Sequence, residues 1–176
     1  MPSCLLHCRK FGAHWEFDIS DSTELRLHNV RPDQQYETPT EVYLAIQAVE
    51  PFDFDAQTTS LSALCPSYCD LEADIFLQKL HDRTIFVNPA YGMRLRGIGC
   101  SGIGDVLDKL VNGDARQRGC NVVALLPSWT HADWFGTHVL KAHRIYHITS
   151  LLKFPNLFMP APVSSPYNYP FVVAVW

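Results

Sequence analysis

Apolar residues in this chain fall in short blocks whose internal spacing alternates between strand-like and helix-like. Two blocks near the amino end, His14–Ser20 and Leu25–Val30, are rich in aromatic and aliphatic residues, and Asp21-Ser22-Thr23 between them suits a turn. They predict a β-hairpin extension over residues 1–35, set in front of a main domain over 36–176. Thr38-Pro39-Thr40-Glu41 predicts a helix start, with Thr38 as the cap, a proline in the first turn and a glutamate three residues past the cap. Val42, Leu44, Ala45, Ile46, Ala48 and Val49 follow at helical spacing until Pro51 stops the run. Phe52–Ala56 reads as a short strand, Leu71–Leu80 as a helix, and Thr84–Val87 as an apolar strand ending at Asn88-Pro89. A glycine-rich loop, Gly92–Gly104, leads into a helix over about Asp105–Asn112, and Asn121–Leu126 is a buried strand. Thr130-His131-Ala132-Asp133 predicts a helix running to Ala142, and Arg144–Ile148 a strand. The uncharged tail Pro155–Trp176 holds prolines at 155, 160, 162, 166 and 170, so it reads as loop until a closing strand at Phe171–Val175. Strands that alternate with helices of this length predict an α/β sheet with helices on both faces.

A chain of 176 residues with 47% hydrophobic content can bury one ordinary core. Its apolar runs fall short of the roughly 18 residues that cross a bilayer, so no membrane partner is expected. The net charge of −4 conceals a split: residues 1–82 carry 14 acids and 5 bases (net −9), and residues 83–176 carry 4 acids and 9 bases (net +5). Such asymmetry points to a polyanion partner for one half and excludes a uniformly basic coat protein. Six cysteines are too few for a disulfide scaffold. Cys4/Cys8 and Cys65/Cys69 share a C-x3-C spacing with His7 and His14 nearby, but finger spacings are absent, and free thiols are expected rather than a metal site. Met1–Gly12 lacks the apolar core of a secretory signal; it is free of acids and carries Arg9 and Lys10, which is compatible with a mitochondrial address. The expected compartment is intracellular and reducing, with cytoplasm, nucleus and mitochondrion all open.

Open α/β sheets bind ligands at the carboxyl ends of their strands. One such end stands out, Ile85-Phe86-Val87-Asn88-Pro89-Ala90-Tyr91-Gly92, where Asn, Pro and an aromatic residue follow an apolar strand. This resembles the catalytic motif of amino-group methyltransferases. The exocyclic amine of adenine is a poor nucleophile because its lone pair is delocalised into the ring. An Asn side-chain oxygen and a neighbouring backbone carbonyl can accept both amine hydrogens and leave the lone pair aimed at a methyl donor. An aromatic ring then stacks on a base that has left the helix, a contact worth about 1–3 kcal/mol. Acceptors fixed in advance act by orientation and electrostatics rather than as strong bases. Asn-Pro pairs also start ordinary turns, so the surrounding motifs carry the weight.

Those motifs are Glu37-Thr38-Pro39, Phe52-Asp53-Phe54-Asp55-Ala56, Cys65-Pro66-Ser67-Tyr68, Asn88-Pro89-Ala90-Tyr91-Gly92, Leu125-Leu126-Pro127 with Trp134-Phe135, and Leu152-Lys153-Phe154. In this order the chain resembles the phage-type (Dam-like) DNA N6-adenine methyltransferase family over about residues 36–176. The resemblance implies a class I methyltransferase (Rossmann-like) sheet, S-adenosylmethionine as cofactor and a nucleic acid, DNA or RNA, as partner. It also implies roles. Thr38 and Pro39 would touch the methyl donor, Asp55 would sit by its amino-acid part, and Glu72 or Asp74 would lie near its adenosine. Asn88 and the Pro89 carbonyl would hold the target amine, and Tyr91 would stack on the base. The segment from Ser128 and Trp129 to Trp134 would face the substrate strand; apart from the resemblance, Arg94 and Arg96 on the rim of the loop after Asn88, with Lys153, are expected to meet the nucleic acid. The acidic half would then hold the donor side and the basic half the substrate side, a match in sign for a sulfonium and a phosphate strand.

Three positions depart from the family pattern. Ala90 replaces a second proline, Ser150-Leu151 stands where Gly-Arg is usual, and no Gly-x-Gly turn follows the first core strand. They motivate an alternative, a catalytically inactive module that binds nucleic acid or serves as a structural subunit, with the N-terminal strands available to protein partners. A chain this short also leaves little room for a target-recognition domain, so an active enzyme would have low sequence specificity or borrow recognition. Gly97-Ile98-Gly99-Cys100-Ser101-Gly102 fits a dinucleotide-binding pattern, but no strand directly precedes it and no acid ends Asn121–Leu126, so a loop beside Asn88 is expected instead. His131 and His138, seven apart, share one face if their helix is continuous. Neither H-E-x-x-H nor G-x-S-x-G occurs, which argues against a zinc peptidase or a serine hydrolase.

Overall fold

The apolar blocks pair into two sheets. The smaller is an antiparallel hairpin of β1 (His7–Phe11) and β2 (His14–Asp18), with Phe11 opposite His14. An N-terminal hairpin is thus present, and the expected strand from His14 is one of its two, but the partner differs from the expected one. The partner of the 14–18 strand is the preceding segment, because a two-residue connection closes antiparallel strands locally. The expected strand Leu25–Val30 lies outside the described residues. The computed structural model describes residues 7–11, 14–18, 37–58, 62–69, 75–89, 102–150, 152, 154 and 170–176.

The larger sheet contains β3 (Phe54–Asp55), β4 (Ser67–Tyr68), β5 (Thr84–Val87), β6 (Asn121–Pro127), β7 (Arg144–Ile148) and β8 (Phe171–Val175). Their spatial order is β4-β3-β5-β6-β8-β7. The first four strands are parallel, and β8 runs antiparallel between β6 and β7. Strands β5, β6 and β8 are almost wholly buried, as expected of central strands covered on both faces. Alternate side chains feed two cores. Phe86, Val123, Leu125, Phe171 and Val173 face one layer, and Ile85, Val87, Val122, Ala124 and Leu126 face the other.

The first layer holds helix α1 (Thr40–Val49), which buries Tyr43 and Ile46. Its cap differs from expectation: Pro39 occupies the N-cap and no side chain caps the helix. The hydroxyl oxygen of Thr38, the expected cap, instead accepts from Asn88 Nδ2, 50 positions away. The second layer holds α2 (Ile103–Leu107), which continues as a π-helix, Asp108–Ala115, and ends in α3 (Arg116–Arg118). The helix is longer than the expected 105–112, and its π segment has no signature in hydrophobic spacing. Its end is set by Gly119, at φ 68, where a side chain's Cβ would lie 3.0 Å from Asp82 Oδ1.

Two further expectations are corrected. Residues 75–80 of the expected Leu71–Leu80 helix form only a turn at 75–77, and the Gln78 carbonyl accepts from Lys109 Nζ at 2.9 Å instead of from a helical N–H. The helix expected to reach Ala142 is α4 (Asp133–Thr137) followed by a 3₁₀ turn, Val139–Lys141. His138 breaks them apart at φ −115, ψ −55, so His131 and His138 do not share a face: the first is exposed and the second buried.

Candidate active site

Strand β3 is followed by β4 on one side of it and by β5 on the other, so the sheet reverses its winding direction between β3 and β5. A crevice opens at the carboxyl ends on either side of such a reversal. Asp55 ends β3 and Asn88 directly follows β5, and the register pairs Asp55 with Phe86, two residues before Asn88. Pairing across parallel strands therefore brings together two residues that are 33 positions apart in the chain.

Asp55 is only 4% exposed. Burial pushes its carboxyl up to about 7 from an ordinary 3.8, against the opposing pull of a hydrogen bond from the Gln57 backbone. Among the described residues no cation pairs with it. The Oε1 of Gln57, two residues on, is a buried acceptor without a hydrogen-bond donor among the described residues. A carboxyl near its midpoint and a dry acceptor side by side suit a ligand that brings a positive N–H donor.

Asn88 is half-buried and donates from Nδ2 to Thr38 Oγ1 at 3.1 Å. This turns the amide's carbonyl to the other branch of the side chain. Pro89 behind it is buried, as is Pro39 at the head of α1. The geometry thus joins Thr38, Pro39, Asn88 and Pro89 across α1 and β5, with Asp55 on the neighbouring strand end.

An aromatic cluster fixes α1 in that position. The Tyr43 ring stands edge-on to Phe52 (4.9 Å) and to Phe86 (5.6 Å), and Phe52 stacks on Phe86 at 4.8 Å. The Tyr43 hydroxyl meets Cys65 Sγ at 3.0 Å. Burial raises both groups above their ordinary values; Asp55 adds to each rise, while for Cys65 the bond to Tyr43 opposes it. At the far end of α1, Glu50 accepts from Arg144 at 2.8 Å and from the Tyr146 hydroxyl at 2.6 Å, which ties the helix to β7.

Ser128 and Trp129 follow β6 on the same edge of the sheet. Ser128 N donates to the Pro170 carbonyl at 2.8 Å, and Trp129 is half-buried beside Trp134, ring centroids 6.4 Å apart. Phe135 is core. Glu72, Asp74, Ala90, Tyr91, Arg94, Arg96 and Lys153 lie outside the described residues. Sequence reasoning passed over Gln57 and Tyr43, and took Cys65 only as part of a motif and of a cysteine pair. Gln57 follows the strand end directly and was open to the carboxyl-end rule, whereas the Tyr43–Cys65 contact spans 22 positions and leaves no local sign.

Among the described residues no three His, Cys, Asp or Glu side chains converge as a metal set, and Cys65 and Cys120 are buried thiols outside any disulfide. Nor is any helix among them long and apolar enough to cross a membrane. The chain is thus an α/β protein with a mostly parallel sheet that carries an acid and an asparagine at adjacent carboxyl ends beside its reversal, the place where such sheets commonly bind ligands. The sequence matches the family model for DNA N-6-adenine-methyltransferase (Dam) over residues 27–170. That match takes in most of the chain, and the protein belongs to this family of adenine-N6 DNA methyltransferases. No curated protein matches it.

Proposed function

We propose that this chain transfers a methyl group from S-adenosylmethionine to the N6 amine of adenine in DNA, on a class I methyltransferase sheet. The observation that carries the reading is the placement of Asp55 at the end of β3 and of Asn88 just past the neighbouring strand β5, with Asn88 bonded to Thr38, in a chain of this family. The residues present fit the donor: a buried carboxyl with no cation paired to it among the described residues, and the Gln57 acceptor without a donor among them, both suit its ammonium group. When bound, S-adenosylmethionine supplies an activated methyl group on a sulfonium.

The chain's own residues do the remaining work. Thr38 and Pro39 close the donor side, and Asp55, with Glu72 or Asp74, holds the donor's polar ends. The Asn88 side-chain carbonyl and the Pro89 backbone carbonyl accept the two amine hydrogens and direct the lone pair. Thr38 fixes the Asn88 amide in the orientation this requires. Tyr91 stacks on the extruded base. Arg94, Arg96, Ser128, Trp129 and Lys153 meet the DNA strand, and the +5 charge of residues 83–176 suits that polyanion.

Calorimetry with S-adenosylmethionine followed by methyl transfer to adenine-containing DNA tests this. Asn88→Ala should abolish transfer, by on the order of 100-fold or more, and leave donor binding intact. Absence of donor binding at millimolar concentration would sink the reading and leave a nucleic-acid-binding module, the function that Ala90 and Leu151 would permit.

A further inference from the structure

A second cleft lies at the opposite end of the sheet. Trp176 pairs with Val122 at the amino end of β6, through bonds of 3.0 and 3.1 Å, and its ring forms one wall of a cleft of about 230 Å³. The other walls come from the end of the π-helix and from the break between α4 and the 3₁₀ turn, which bring Asn112, Arg116, His138 and Lys141 together. The space is below the roughly 300 Å³ at which drug-sized ligands begin, so it suits a small group.

The charges around it are unequally used. The helix carries three cations near this end. Asp114, fully buried, takes Lys109 at 2.5 Å and also Arg118, which leaves Arg116. Among the described residues neither Arg116 nor Lys141 makes an ion pair. His138 is 6% exposed, lines the cleft, and its ring makes no hydrogen bond among the described residues. Burial depresses its imidazole, Asp108 opposes that shift, and Lys141 and Arg116 depress it further, so both cations and one carboxylate lie within electrostatic reach of it. The Asp108 carboxylate accepts one of the two Asn112 Nδ2 hydrogens at 2.6 Å, which leaves the amide a second one. Thr137 gives its proton to the Asp133 carbonyl and offers no donor.

We infer that this cleft binds a phosphate group, with Arg116 and Lys141 supplying charge and the His138 ring and Asn112 amide supplying N–H donors. A guanidinium, an ammonium and a neutral imidazole converging on one small space match a tetrahedral oxyanion in both sign and hydrogen-bond polarity. Two sources carry that chemistry: a small phosphate ester or free phosphate, and the backbone of DNA. The inference does not depend on methyl transfer, because the cleft and Asn88 lie at opposite ends of the sheet.

The test is a titration of the full chain with inorganic phosphate, followed by NMR of the His138 imidazole, with chloride at matched ionic strength as control. The expected result is a saturable response centred on His138 and an upward shift of its pKa as the anion binds. Arg116→Ala/Lys141→Ala should weaken phosphate binding by roughly tenfold or more, while its thermal midpoint and its donor binding stay unchanged. Both side chains are exposed, so that variant keeps the fold. A response with no saturation, one equalled by chloride, or one unchanged in the double variant would overturn the inference. A DNA duplex that displaces phosphate from His138 identifies the backbone as the source, and one that leaves it in place identifies a free phosphate or small ester.

Discussion

Burial keeps the Asp55 carboxyl protonated in the folded chain up to about pH 7, whereas its ordinary value is 3.8. Between those values the folded state binds more protons than the unfolded state. The stability that Asp55 contributes is therefore complete below about pH 4 and is lost as pH rises through 7. His138 works in the opposite direction: its depressed folded value makes stability rise with pH in the window below 6.5. Urea unfolding of the wild type and Asp55→Asn at pH 5 and pH 8 separates the two. The wild type should lose on the order of 2–4 kcal/mol more than the variant over that interval. Donor binding should carry the reverse sign, because an ammonium ligand needs the ionised carboxylate. Affinity for S-adenosylmethionine should rise from pH 6 to pH 8 in the wild type and stay flat, and weaker, in Asp55→Asn. A wild-type affinity that is flat over this range would remove Asp55 from the donor site.

At the scale of elements, α1 is held at both ends and in its middle. Asn88 meets the residue before its N-cap, Glu50 bridges its far end to β7, and Tyr43 seats it on Phe52 and Phe86. Tyr43→Phe removes only the hydroxyl contact to Cys65 and should cost about 1 kcal/mol. Tyr43→Ala empties the seat and should cost about 3–5 kcal/mol, and donor affinity should fall with it because Thr38 is carried on the same helix. The π-helix is held at its end by Asp114, a fully buried carboxylate between Lys109 and Arg118. Asp114→Ala leaves two cations with little exposure and should cost about 2 kcal/mol or more in chemical unfolding. A double-mutant cycle with Arg118→Ala should recover part of that loss. The hydrophobic pattern foretold α1 and the helix near 105–112 but not these fixings. A π-helix shares its apolar residues with an ordinary helix, and a hydroxyl that could cap a helix can equally well bond a strand end 50 positions away.

At the scale of the whole molecule, the charge split coincides with the architecture. The acidic residues 1–82 contain β3 and β4, the basic residues 83–176 contain β5 through β8, and the seam between them is the reversal flanked by the strand ends that carry Asp55 and Asn88. On the proposed reading a DNA strand would meet the basic side of that seam. Measured DNA affinity should fall steeply with salt, with a log–log slope of about −0.9 per phosphate engaged. Arg94→Glu/Arg96→Glu should make that slope shallower by about one to two contacts without altering donor binding. An unchanged slope would place the DNA contact elsewhere.

The sequence by itself determined the apolar strands at 84–87, 121–127, 144–148 and 171–175 to within a residue, and the order of the chemistry-bearing motifs. Those properties are local, written in runs of β-branched and aromatic residues and in the turns between them. The placing of a hairpin before the main sheet was legible in the same way, although the pairing of its strands was not. Only the tertiary structure decided that β8 enters between β6 and β7, that Thr38 serves Asn88 instead of its own helix, and that the chain breaks at His138. It also decided the protonation of Asp55 and the cleft beside Trp176. Each of these depends on which distant groups share a dry space. Desolvation and strand pairing are set by neighbours in space, and neighbours along the chain do not encode them.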